Sequence, residues 1–169
     1  MKFNPKATIA ALGITSLAGL LGYQADYTAP HEGLSLSAYL DSVGVPTICY
    51  GKTSGVKLGV TMTKAECTYY LNVELASHCE PLWKVTDPKV TPVGVFVATC
   101  DWLYQYGQSR WNTSTLKNKY IAKDFRGVCG EYPRWKYAGG KDCTNRLNNC
   151  YGVVTRGFDR EALCLSSLP

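Results

Sequence analysis

The chain has 169 residues, 46% of them hydrophobic and 18% charged, which excludes a disordered protein and suits one domain with a sizeable core. A formal charge of +5, without clustered Lys and Arg, argues against nucleic acid and fits an anionic wall or membrane surface. The eight cysteines form an even set beyond residue 48, read as a disulfide framework in an oxidising compartment. Zinc is disfavoured, because no C-x-x-C pair exists and only His31 and His78 offer imidazole ligands.

The N-terminus carries Lys2 and Lys6, and residues 7–25 then run without a charge for 19 positions, enough to span a bilayer as a helix. Its apolarity is thin. Ile9, Leu12, Ile14, Leu17, Leu20 and Leu21 are scattered among Ala, Gly, Ser and Thr. The first reading is an uncleaved signal anchor over residues 1–25, with residues 26–169 as the folded domain outside the inner membrane. A cleaved signal comes second, since Tyr23 and Leu20 fall where small residues are wanted for cutting after Ala25 or Gly22. A buried helix comes third.

Pro30 to Ala38 reads as a short helix bearing Glu32, followed by a turn through Asp41 and Gly44. Pro46–Gly51 and Leu58–Met62 are apolar, β-branched runs bracketed by glycines, which predicts a hairpin with Asp41 and Thr47 on or beside it. Thr63-Lys-Ala-Glu66 is a capping box opening a helix to about Ser77. Thr91-Pro92 opens a buried central helix, in which Val93, Phe96, Val97, Cys100, Leu103 and Tyr104 recur at helical spacing. Shorter helices are expected from Thr113 or Ser114 and over Asp124–Tyr132, with a loop at Ala138-Gly-Gly140. A last helix over Thr155–Leu165 is expected to bury Phe158, Ala162 and Leu163. The fold class is α+β and mainly helical. Cys143 and Cys150, six residues apart in an Asn-rich stretch, are the one disulfide pair the spacing itself suggests.

Glu32, Asp41 and Thr47 form an E-x8-D-x5-T pattern that supplies an acid, a base and a hydroxyl to position water, the parts needed to hydrolyse a glycosidic bond. The spacing alone is weak, since 13 acidic residues produce such pairs by chance and a surface charge, a turn former and a strand filler account for the trio equally well. Tyr104 is a candidate to face a sugar ring or to sit in the core. Trp135 reads as core and His31 as surface. Arg156 and Arg160 stand lower, as partners of Glu32 or another acid.

The flanking residues change that weighting. Thr63-Lys-Ala-Glu-Cys67, Leu103-Tyr-Gln-Tyr-Gly107, Thr113-Ser-Thr-Leu116, Arg134-Trp-Lys-Tyr-Ala-Gly-Gly140 and Thr155-Arg-Gly-Phe-Asp-Arg-Glu-Ala-Leu-Cys164 follow the trio in order. With them the chain resembles the phage-type lysozymes of glycoside hydrolase family 24, especially secreted endolysins with a signal-anchor-release N-terminus. The departures are Gln105, where the family often has Asn, Tyr50-Gly51-Lys52 after the threonine, and a local addition over Lys141–Gly152.

The resemblance implies a lysozyme-like fold, a small β-hairpin lobe beside a helical lobe with an N-terminal apolar helix. It also implies inverting cleavage of the β-1,4 bond between N-acetylmuramic acid and N-acetylglucosamine in peptidoglycan, in the host periplasm, by a monomer without metal or organic cofactor. Glu32 would be the acid, Asp41 the base and Thr47 the water-orienting hydroxyl, with Tyr104 and Gln105 touching substrate. Two other roles fit the same pattern: a virion-borne lysozyme acting at infection, and a non-catalytic wall-binding module.

Overall fold

The computed structural model describes residues 4–41 and 43–169, so Lys2 of the N-terminal charge pair lies outside the described residues. Among those described, a small β lobe stands beside a helical lobe, as the resemblance implied. Helix α1 spans Leu21–Glu32, so Glu32 closes a helix instead of riding on one that starts at Pro30. Gly33, at φ 70° and ψ 160°, turns the chain out of the helix through a backbone region that is essentially open only to glycine.

Strand β1, Ser35–Leu40, replaces the expected helical continuation to Ala38. Ser35-Leu-Ser-Ala38 alternates polar and apolar residues, which is compatible with a strand once Gly33 has broken the helix, although the burial along β1 does not alternate. It pairs antiparallel with β2, Pro46–Cys49, placing Tyr39 opposite Thr47 and Leu40 opposite Pro46. The expected pairing of residues 46–51 with 58–62 therefore does not form. β1 lies between them: the Ala38 N–H donates to the Val60 carbonyl and the Met62 N–H to the Leu36 carbonyl.

Helix α2, Lys64–Trp83, opens at the capping box, with the Thr63 hydroxyl accepting from the Glu66 N–H and the Glu66 carboxylate accepting from the Thr63 N–H. It passes the expected end at Ser77 because Leu75, Cys79 and Leu82 continue its buried stripe. Helix α3, Val93–Thr113, is the buried centre, every side from Val93 to Leu103 covered, until Gly107 at φ 80° and ψ 166° breaks its path. Helices α4 (Thr115–Ile121) and α5 (Phe125–Cys129) follow, each with a side-chain N-cap, Ser114 and Asp124. Trp135 packs edge-on against Trp102 at 4.7 Å, as a core residue should.

Residues 137–150 make a second hairpin, β3 (Tyr137–Ala138) with β4 (Lys141–Asp142), closed by the Cys143–Cys150 disulfide. Helix α6, Tyr151–Ser166, starts one turn earlier than expected and turns a different face inward. Phe158 is 54% exposed and Ala162 is exposed, Leu163 is half-buried, and the buried stripe is Val154, Arg156, Gly157, Arg160 and Cys164. Two arginines inside the stripe are tolerable only because α3 supplies a carboxylate to meet them.

Residues 7–25 are not one helix here. They form 3-10 turns at Ala10–Leu12 and Leu17–Leu20 and then the first turn of α1, so the boundary expected after residue 25 lies inside α1. Ile9 and Leu20 are fully buried, with Leu12, Ile14, Leu17 and Tyr23 packed on the main core. The backbone joins in, since the Ile9 N–H donates to Thr91 and the Val93 N–H to Ala7. Among the described residues no helix is long and apolar enough to cross a membrane.

The remaining disulfides are Cys49–Cys67, joining β2 to α2, Cys79–Cys100, joining α2 to α3, and Cys129–Cys164, joining α5 to α6. Loop closure predicts unequal contributions, because Cys129–Cys164 spans 35 residues and Cys143–Cys150 only 7. Replacing both members by Ala should cost about 4 kcal/mol for the long loop and about 2 kcal/mol for the short one, read by chemical denaturation of the oxidised proteins. Equal losses would reject the loop-entropy account. Gly33→Ala should destabilise the fold by about 1–3 kcal/mol in the same measurement, because a Cβ at that φ is strained even in open space.

Candidate active site

Glu32 sits at the mouth of the helical lobe, on the last turn of α1, where its carboxylate is partly covered at 22% exposure. The Arg156 Nη1 of α6 lies 2.6 Å from Glu32 Oε1. The same guanidinium turns its other edge to Asp101 of α3: Nε donates to Oδ2 at 3.0 Å and Nη2 to Oδ1 at 2.7 Å. That edge-on, two-bond geometry fixes the plane of the arginine, and the plane fixes the point at which Nη1 meets Glu32.

Asp101 has no exposed surface, and every partner it takes is a donor. Arg160 Nε reaches Oδ2 at 2.7 Å and the Thr28 hydroxyl donates to Oδ1 at 2.8 Å. Burial alone would push the Asp101 carboxyl up, but Arg160 and Arg156 with the Thr28 hydroxyl outweigh it and hold it below the ordinary carboxylate range. For Arg156, burial disfavours the charge, while the bond from Asp101 and the charges of Asp101 and Glu32 keep it ionised more firmly than a free arginine. Thr28 and Glu32 are one turn apart on α1, so both ends of that turn are tied into the network.

Asp41 and Thr47 lie on the closing rungs of the β1–β2 hairpin. The Asp41 N–H donates to the Val45 carbonyl at 3.0 Å, and Asp41 Oδ1 accepts from the Val43 and Val45 N–H groups at 3.0 and 2.8 Å. The carboxylate thus closes its own turn, an arrangement for which Asp is suited by its short side chain. The buried Thr47 hydroxyl donates to the Val45 carbonyl at 3.0 Å. With its proton committed, that oxygen can only accept from a water molecule. Three residues therefore come from two elements linked by Gly33, an acid from the helix and an acid with a hydroxyl from the hairpin.

Tyr104 is half-buried behind this site, its hydroxyl donating to Glu74 Oε2 at 3.2 Å and its ring against His78. Burial first, then the charges of Glu32 and Glu74, push its ionisation upward, so it stays a neutral donor. Gln105 Oε1 accepts from Arg160 Nη2, and its other surroundings are a cavity of about 250 Å³ lined with Tyr106, Arg110, Tyr137 and Gly139. His31 packs beside Tyr27 and is half-buried rather than fully at the surface. Arg156 and Arg160 do meet an acid, Glu32 for the first and Asp101 for both. Asp101 and Thr28 were missed by sequence reasoning, although a lone acid in the run VGVFVATCDWL signals a buried charge in need of a partner.

The phage lysozyme family model matches residues 29–156, a span that includes Glu32, Asp41, Thr47 and Arg156. The SAR-endolysin of Enterobacteria phage PA-2 is 39% identical over 140 residues, 79% of this chain and 77% of the relative. That of Enterobacteria phage P21 is 37% identical over 138 residues, with 79% and 77% covered. Among solved structures, the endolysin of Escherichia coli O157:H7 phage FAHEc1 superimposes with a TM-score of 0.71 at 27% identity, covering 91% of this chain and 95% of that one. A family model over most of the chain, a matching architecture and relatives of this closeness have one reading: the chain belongs to the phage lysozyme family.

Proposed function

We propose that this protein is an exported phage muramidase, cleaving the β-1,4 bond between N-acetylmuramic acid and N-acetylglucosamine of peptidoglycan to lyse the host. The observation that carries the reading is the placement of Glu32 at a helix end, against Arg156, next to a hairpin that presents Asp41 and Thr47. Glu32 protonates the leaving oxygen. Its carboxylate then forms 2.6 Å from a guanidinium, where the new negative charge is stabilised as it develops. Asp41 takes a proton from water on the opposite face of the sugar through Oδ2, since Oδ1 is occupied by the turn. Thr47 accepts a hydrogen of that water and aims its lone pair at the anomeric carbon. Inversion follows from attack opposite the leaving group. Tyr104 and Gln105 contribute to sugar binding, and the chain acts as a monomer without a cofactor.

Glu32→Gln keeps the shape and removes the transferable proton, so release of reducing ends from peptidoglycan should fall by at least about 100-fold in a folded protein. Asp41→Asn should be severely impaired in the same assay. Near-normal turnover in purified Glu32→Gln would remove the acid from the mechanism, while binding to the wall with no reducing ends from the wild type would favour a non-catalytic module.

The names of the SAR-endolysin relatives support export, and the N-terminal residues support a tether that lets go. In the proposed cycle residues 7–25 first hold the chain in the inner membrane and later take the buried places seen for Ile9 and Leu20. Residues 1–25 contain no cysteine, so release proceeds without a thiol from the anchor. Gly13→Leu with Gly19→Leu acts twice in one direction: it makes the anchor more apolar, and it opposes the folded form. Gly13 sits at φ 70°, and a Cβ on Gly19 would lie 3.0 Å from Ile14 Cγ2. The double variant should stay in the membrane fraction and delay lysis. A wild-type chain that is always soluble and trimmed near residue 25 would favour a cleaved signal instead.

A further inference from the structure

Glu32 has to be protonated before each turnover and ionised after it, yet its nearest charged neighbour is an arginine that opposes protonation. A second arginine, Arg160, stands one turn further along α6 on the same buried stripe, with no exposed surface. Left unbalanced, two guanidinium groups on this stripe, one of them against Glu32, would favour its ionised form. Asp101 is the group that changes the balance. Its carboxylate is fully buried and bound by both arginines, while Glu32 receives only the remaining Nη1 of Arg156.

We propose that Asp101 is a positioning residue for the acid: it neutralises Arg160, pins the plane of Arg156, and so sets the pH range over which Glu32 carries its proton. With Glu32 ionised, the four groups Glu32, Asp101, Arg156 and Arg160 balance to zero. With Glu32 protonated they carry one positive charge, and that charge is shared by two arginines already held by Asp101. The proton therefore leaves Glu32 towards a neutral cluster, a driving force for donation that does not keep the acid permanently ionised. The inference rests on the reading of Glu32 as the acid.

The other charged and titratable groups around Glu32 do not supply this balance. On α1, His31 is adjacent and Tyr27 lies one turn back. On α3 and α2, Tyr104 is neutral and bonded to Glu74, with His78 against its ring. Glu74 is bonded to the Tyr104 hydroxyl rather than to either arginine, and Asp159 of α6 bears on Tyr27. In the hairpin, Asp41 is turned to the backbone of Val43 and Val45. Among the described residues, Asp101 alone is bonded to both arginines.

The test is the pH dependence of kcat/KM on soluble peptidoglycan fragments, with folding checked by circular dichroism. Removing the negative charge in Asp101→Asn leaves Arg156, which touches Glu32, and Arg160 without their shared counter-charge, which favours the ionised form of Glu32. The alkaline limb should then move to lower pH by about one unit or more. Removing a positive charge in Arg160→Gln has the opposite sign, and the alkaline limb should move to higher pH by a similar amount. A purely structural role for Asp101 predicts lower activity in both variants with limbs in place. Should Asp101→Asn fail to fold, Arg160→Gln decides alone, and an unmoved limb in that folded variant overturns the proposal. Carboxyl-carbon NMR of Glu32 reads the same shift without turnover. Glu32→Gln is the control that separates the two failures. Retained activity there defeats the assignment of the acid, whereas loss of activity there with unmoved limbs elsewhere defeats only the role of Asp101.

Discussion

A fully buried carboxylate in the middle of an apolar helix sets the terms for the rest of the molecule. Asp101 lies among Val95, Phe96, Val97, Ala98, Trp102 and Leu103, all without exposure, and an unpaired charge there would cost several kcal/mol. The requirement is met by two arginines four positions apart on α6 and by the Thr28 hydroxyl on α1. Each of those donors must hold a defined orientation to reach, so the register of α1 and α6 against α3 is fixed by one side chain. An apolar stripe on α6 would pack with more freedom of rotation and translation. The ion network exchanges that freedom for a single seating, and Glu32, one turn beyond Thr28, inherits its position.

Around that junction the covalent links act on the outer parts. Cys79–Cys100 ties α2 to α3 and Cys129–Cys164 ties α5 to α6, while Cys49–Cys67 fastens the β lobe to the first turn of α2. Besides the chain that leads from β2 into α2, the hairpin that carries Asp41 and Thr47 has two attachments to the helical lobe. One is the Gly33 elbow, and the other is a disulfide near the far end of β2. The proposed roles of Glu32 and Asp41 would need this kind of constraint, because small displacements of either carboxylate change the room available for a water molecule.

The N-terminal residues show how a stretch of modest apolarity packs on the folded domain, and in the proposed cycle the same stretch would first sit in the membrane. Ile9, Leu20 and their neighbours cover the start of α3, with backbone bonds to Thr91 and Val93. The many Ala and Gly residues that thin its hydrophobicity also allow the tight 3-10 turns at Ala10–Leu12 and Leu17–Leu20. A strongly apolar helix would suit lipid well and this surface badly. Because α1 continues the same segment to Glu32, the state of the N-terminus and the placement of the acid are mechanically connected in the proposed cycle.

The sequence by itself determined the elements whose signals are local. The capping box at Thr63 is formed by residues three apart, the central helix announces itself by an uninterrupted apolar run, and Cys143 with Cys150 are too close in the chain to need help in meeting. The trio Glu32, Asp41 and Thr47 was singled out by its spacing and the motifs that follow it, and its catalytic roles stand as a proposal. What escaped depended on partners far along the chain. Pro30–Ala38 reads as a helix until β2 on one side and residues 60–62 on the other supply hydrogen bonds to Ser35–Leu40, and the inward face of α6 looks like Phe158, Ala162 and Leu163 until Asp101, 55 residues before Arg156, pays for burying its arginines. Local propensity fixes backbone conformation only where neighbours in sequence supply the missing bonds. Buried charge and strand pairing are settled by long-range partners, so only the tertiary structure decided them.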